Sequence, residues 1–172
     1  MQNLSSDTPR PAPPVAQGWL SRLRPGPRTL KWFLRLWPTY AFAGIRVRHI
    51  APDYSAARVD LRLGLLNRNF FGTAFGGSLY AMTDPFFALL MVGQLGPGYR
   101  VWDRAAQIRF LKPGTGVMTA QFLLPASEVE RVRALAASGD KVEPVYTVDV
   151  RDAAGALIAV VEKTLYVRRD GP

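Results

Sequence analysis

Between Ser78 and Gln94 the chain carries a stretch so apolar that it must be buried, and Phe86–Val92 is its longest uninterrupted run. That run falls far short of the ~18 residues a membrane span requires. No polar stripe marks a wet side. The segment reads as mostly helical and ends near Gly96-Pro97-Gly98. The segments around it change period. Ile45, Val47 and His49 alternate with Arg46 and Arg48, and Val59, Leu61 and Leu63 alternate with Arg58, Asp60 and Arg62. Period-two alternation marks strands with one wet face, and Pro52-Asp53 supplies the turn of a hairpin. His49 is expected on the half-buried face of the first strand. A single strongly apolar helix among five or six strands predicts that the sheet wraps around it.

Further strands are expected at Val101–Leu111, Val117–Leu124, Val142–Val150 and Leu157–Val167, the last two joined across Asp152-Ala153-Ala154-Gly155. Ser127-Glu128-Val129-Glu130 matches a capping box, so a short helix is expected to about Ala137. The order of elements gives an α+β class with an antiparallel sheet. Ahead of it, residues 1–18 are rich in proline and read as a flexible arm. Residues 19–38 hold two short amphipathic helices, Trp19–Leu23 and Leu30–Trp37, broken by Pro25-Gly26-Pro27 and stopped by Pro38. The 172 residues suit one domain.

Composition excludes much chemistry. Cysteine is absent, so disulfides, thiolate catalysis and cysteine metal sites are excluded, and the one histidine, His49, rules out multi-histidine metal centres. No metal or resident cofactor is expected. The formal net charge of +9 favours anionic partners. Residues 1–40 carry Arg10, Arg22, Arg24, Arg28, Lys31 and Arg35 against Asp7 alone. Trp32, Phe33, Leu36 and Trp37 lie among these cations, so residues 19–37 either pack on the domain or touch a membrane surface. No nucleic-acid motif accompanies the charge, so no nucleic acid is expected. The polar, proline-rich start differs from a secretory signal, and the expected location is cytoplasmic.

Three positions carry the candidate chemistry: Asn69, Gly76 and Asp84. If the apolar helix starts near Gly76, its first N–H groups lack intrahelical partners and could polarise a substrate carbonyl. Asp84 lies in an apolar environment, where a carboxylate requires a partner and is a functional candidate. Equally, Asp84-Pro85 could be an N-cap followed by proline at the first helical position, and Asn69 could be a turn residue.

The stretch Asn69-x-x-Gly72-Thr73-Ala74-Phe75-Gly76-Gly77-Ser78-Leu79-Tyr80-Ala81-Met82-Thr83-Asp84 resembles the signature of hotdog-fold acyl-CoA thioesterases of the phenylacetic-acid-pathway type. Ile108-x-Phe110-x-Lys112-Pro113-Gly114 resembles the strand after their central helix, and the likeness covers about residues 40–168. It is closest to an uncharacterised hotdog branch with an extra amino-terminal helix. The resemblance implies a curved antiparallel sheet around a central helix over residues 39–169. It further implies a homodimer or homotetramer whose sites use both chains. For the residues it implies Asp84 as nucleophile or general base, Asn69 orienting water or the thioester, and the Gly76 N–H polarising the carbonyl. Phe75, Gly77 and Tyr80 would line the substrate site, and coenzyme A would enter as part of the substrate.

Two departures stand out. Phe75 replaces the signature's histidine with an apolar ring, and Pro85 should kink or shorten the helix. Hydrolysis of acyl-CoA or a related acyl thioester is therefore one expectation, and a non-catalytic acyl- or lipid-binding protein is the other. Arg100, Arg104, Arg109, Lys112, Arg168 and Arg169 are candidates for the phosphates of coenzyme A.

Overall fold

A computed structural model describes residues 26–170. The amino-terminal arm and the expected Trp19–Leu23 helix lie outside the described residues. Two helices lead in, α1 (Pro27–Leu36) and α2 (Pro38–Phe42), each with proline in its first turn, where the missing N–H costs nothing. Strands β1 (Ile45–Ile50) and β2 (Ala56–Arg62) follow, then helices α3 (Gly76–Ala81) and α4 (Phe86–Leu95). The chain continues through β3 (Tyr99–Phe110), β4 (Val117–Leu123), helix α5 (Ala126–Leu135), β5 (Val145–Asp152) and β6 (Leu157–Arg169). The six strands form one sheet in the order β1-β2-β4-β5-β6-β3, each neighbouring pair antiparallel. The sheet curls as a half-barrel around α4, as the α+β hotdog reading expects.

Burial of α4 organises the core. Phe86, Phe87, Leu90, Met91 and Leu95 are buried, and the Phe86 and Phe87 rings lie 5.0 and 5.2 Å from Phe122 of β4. Each such side chain contributes on the order of 2 kcal/mol on leaving water. The carboxyl end of α4 is held electrostatically. The Arg133 guanidinium of α5 donates to the Leu95 and Gln94 carbonyls, both at 3.1 Å, where a cation complements the helix dipole. Leu30 and Leu34 of α1 pack against β1 in the same core. Among the described residues no helix is long and apolar enough to cross a membrane.

Several expectations need correction. Ser78–Gln94 is not one helix but the end of α3, a break at Met82–Pro85, and α4. Asp84 is not an N-cap: α4 starts at Phe86 and no side-chain bond caps it. The capping box at Ser127 does not form either, because α5 starts a residue earlier, at Ala126. Glu128 instead binds Arg131 and the Tyr146 hydroxyl, and Glu130 pairs with Arg133. His49 is exposed, since an irregularity between Val47 and His49 turns it outward and places Ile50 inward.

The loop before α3 hangs on Asn67. Its buried side-chain oxygen accepts from the Gly64 N–H at 2.7 Å, and its amide donates to the carbonyls of Ala43 (2.7 Å) and Arg62 (2.9 Å). It thereby ties the ends of α2 and β2 together. Gly44, at φ +72°, leaves room for it, since a Cβ there would sit 2.4 Å from the Asn67 amide nitrogen. Asn67→Ala strands three backbone groups and should lower unfolding free energy by about 2–4 kcal/mol, measured by denaturant titration.

Candidate active site

Along β6 the inward positions run Ala159, Val161, Lys163, Leu165, Val167, so one ammonium interrupts an apolar row. The Lys163 side chain has 0% exposure. Its Nζ lies 3.0 Å from Asp84 Oδ1 and 3.1 Å from Asp103 Oδ2, with the Tyr80 ring centroid at 5.2 Å. An unpaired ammonium at this depth would be too costly to hold, and two carboxylates supply the compensation. Burial alone would push Lys163 down. The hydrogen bonds and charges of Asp84 and Asp103 outweigh it and hold Lys163 above the ordinary lysine value.

Asp103, on β3, is pushed up to about 6 by burial first and by the neighbouring Asp84 carboxyl second, against the pull of Lys163. Its Oδ1 is buried with no hydrogen-bond partner among the described residues. Asp84 differs in being half open, with a side-chain exposure of 50%. It occupies the break between α3 and α4, and the buried Tyr40 of α2 donates its hydroxyl to the Asp84 backbone carbonyl. Burial, then the nearby Asp84 and Asp103 carboxylates, raise the Tyr40 phenol, so it remains a donor.

The other expected residues gather at the opposite end of α3. Asn69 is spent within its loop: Oδ1 accepts from the Phe71 and Thr73 N–H groups, and Nδ2 donates to Thr73 Oγ1 and the Ala74 carbonyl. All four hydrogen-bonding capacities of that amide are used. Gly76 and Gly77 open α3, and their missing side chains admit rings. A Cβ on Gly76 would lie 3.0 Å from the Phe110 ring, and one on Gly77 would lie 2.4 Å from the Phe75 ring. The structure thus brings Asp84 and Tyr80 together around Lys163, and it groups Phe75, Gly76 and Gly77 beside Phe110. It does not merge the two groups within one chain. Gly76 opens α3, whereas Asp84 follows its carboxyl end, in the break before α4.

Sequence reasoning missed Lys163, Asp103 and Tyr40. Lys163 left a signal, a charge on the inward parity of an otherwise apolar strand, but nothing local paired it with residues 60 and 79 positions away.

The surroundings of the Gly76 end of α3 are apolar and cationic. Phe70 is 99% and Phe71 84% exposed, and Phe75, Phe110 and Leu111 are also exposed. Arg68, Arg109 and Lys112 stand among them and make no ion pair among the described residues. Of the other candidate phosphate binders, Arg100 pairs with Asp170, Arg104 with Glu143, and Arg168 donates to the Gly139 carbonyl at 2.8 Å.

A family described as a domain of unknown function, DUF4442, matches residues 26–167, the whole of the sheet but its last two residues. The chain belongs to that family. Its fold is shared with solved structures. A Pseudomonas aeruginosa protein described as a probable thioesterase superposes with a TM-score of 0.75 at 18% identity, over 84% of this chain and 97% of that one. A Haemophilus influenzae thioesterase gives a TM-score of 0.59 at 18% identity, covering 83% and 90% of the two chains. The Escherichia coli PaaI protein from the phenylacetic acid degradation operon gives 0.51 at 20% identity, covering 77% and 84%. No curated protein matches the chain. This DUF4442 chain is a hotdog-fold protein, and its Lys163-centred carboxylate pair lies where its central helix is interrupted.

The raised Asp103 carboxyl has a consequence for stability. A folded-state pKa above the unfolded value means that the fold binds this proton more tightly than the unfolded chain does. The stabilisation is complete below about pH 4 and is lost as pH rises through about 6. Asp103→Asn should flatten that part of the stability–pH curve. Carbon NMR of the Asp103 carboxyl should show a midpoint near 6 in the parent and a higher one in Lys163→Met, which should also lose about 3–5 kcal/mol.

Proposed function

We propose that the protein hydrolyses acyl-CoA or a related acyl thioester, with Asp84 as nucleophile or general base. The observation that carries this reading is the Asp84 carboxylate itself: half exposed at a helix break, yet fixed by the fully buried Lys163 ammonium. A carboxylate held by one oxygen keeps its other oxygen available to attack a thioester carbonyl or to take a proton from water. Lys163 acts as a positioning residue, holding the Asp84 carboxyl in place through its ammonium 3.0 Å away. The Gly76 and Gly77 N–H groups at the start of α3 polarise the thioester carbonyl as negative charge develops on its oxygen. Asn69 shapes the loop that presents them.

Gly76 and Asp84 lie at opposite ends of α3, and this reading takes one from each of two chains, as the thioesterase resemblance implies. The ends of the sheet favour such a pairing. β1 is covered by α1, whereas β3 is an edge strand of twelve residues with an exposed central stretch. An uncovered edge of that length is a template for a second strand. The exposed phenylalanines at residues 70, 71, 75 and 110 supply an apolar wall for the acyl chain, and Arg68, Arg109 and Lys112 supply cations for coenzyme A phosphates. The second reading, acyl binding without turnover, rests on Phe75: an apolar ring packs on Gly77 where the thioesterase signature has histidine.

Free-thiol release from acyl-CoA substrates of graded chain length tests the reading. Asp84→Asn should reduce kcat by about 10²–10⁴ with little change in KM. Unchanged turnover in that variant would overturn the role of Asp84, and binding of acyl-CoA without hydrolysis by the parent would favour the second reading. Light scattering at micromolar concentration should return at least twice the 19.0 kDa chain mass.

A further inference from the structure

Helix α1 has two apolar sides, and the core uses only one. Leu30 and Leu34, one turn apart, are buried against β1. At 100° per residue, Trp32 and Leu36 fall on the opposite side and Phe33 on a flank, where they are 55%, 73% and 41% exposed. Trp37 and Phe42 extend this exposed surface beyond the helix end, and Phe33 meets Trp37 edge to face at 4.9 Å.

Arg28, Lys31 and Arg35 line the flank between the two sides. None of them makes an ion pair among the described residues, and Arg35 lies 5.2 Å over the Trp32 ring. No aspartate or glutamate occurs anywhere from Thr8 to Pro52. An open cleft of about 600 Å³ separates the start of α1 from the end of β1, and Arg28, Lys31, Trp32 and His49 are among its lining residues.

We infer that this face docks on an anionic lipid surface. Bulky aromatics left exposed and flanked on one side by cations without an ion pair, with no carboxylate beside them among the described residues, match the boundary between acyl chains and negatively charged headgroups. The indole rings enter at headgroup depth, and Arg28 and Lys31 meet headgroup phosphates at the mouth of the cleft. The surface lies on the β1 side of the sheet, whereas the exposed phenylalanines near Gly76 adjoin the end of β3, at the other edge. Docking therefore leaves the β3 edge free, and it does not depend on the reaction proposed for Asp84.

The test uses the full chain with phosphatidylcholine–phosphatidylglycerol vesicles, compared with phosphatidylcholine alone, at low and high ionic strength. The mixed vesicles should retain the protein at low ionic strength and release it at high, with indole emission shifting to shorter wavelength on binding. The triple variant Trp32→Ser, Phe33→Ser, Leu36→Ser should weaken retention by about tenfold or more. It should keep the parent's circular dichroism and its hydrolysis of short, water-soluble acyl thioesters. Arg28→Glu with Lys31→Glu provides a second variant with the same expected loss, should the triple variant fold poorly. Absence of binding to mixed vesicles would overturn the inference, as would undiminished binding by the variants. A drop in oligomer size in the triple variant would instead assign the face to a second copy of the chain and overturn the lipid reading.

Discussion

A ten-residue helix without a polar side can persist only when most of its surface is covered, and α4, with six of its ten residues buried, is such a helix. Most of the sheet and the helices α2 and α5 are placed by the need to cover it. The strands curl because a flat sheet would leave half of the helix in water. The inward residues of β2, β4, β5 and β6 form the resulting wall, with Phe122 at its centre against Phe86 and Phe87. The open flanks are closed by side chains from added helices: Tyr40 of α2 stacks near Phe86, and α5 bonds the carboxyl end of α4 through Arg133.

Lys163 places charge chemistry inside this hydrocarbon enclosure. A buried ammonium is stable only with negative charge within reach, and here that charge comes from β3 and from the break before α4. The consequence is mechanical as well as electrostatic. Asp84 is pinned through its side chain to β6 and through its carbonyl to Tyr40 of α2, so its position is set by two separate elements. A carboxylate fixed in this way loses little freedom when a reaction demands a particular geometry.

The exposed apolar surface divides into two parts of different character. Around the start of α3, phenylalanines and leucines project from a loop and a strand end beside a bare sheet edge, a geometry that suits another protein chain. Along α1, indoles and a phenylalanine sit beside cations with no acid nearby, a composition that suits a lipid surface. Both surfaces come from the same shortage: a small sheet wrapped around one helix has too little inner area to bury all the bulky residues this chain carries.

Periodicity and punctuation in the sequence determine most of the fold. The alternation in Ile45–Val47 and Val59–Leu63, the apolar run at Phe86–Val92 and the turn at Asp152–Gly155 are local features, and local sterics and burial suffice to translate them into strands, helix and hairpin. The hotdog resemblance rests on the Asn69–Gly76–Asp84 spacing, which is equally local. What periodicity could not decide were the exact starts of α4 and α5, where the Asp84 carboxyl bonds Lys163 instead of capping and Ser127 falls inside a helix that starts at Ala126, and the outward turn of His49, which a one-residue shift in strand register imposed. The partners of Asp84 were decided only by tertiary structure. Lys163 is 79 positions away in sequence, and Asp103 lies on the strand paired beside it. Their meeting depends on the curl of the sheet and the break in the central helix, which arise when the whole chain packs and which no short window of sequence contains.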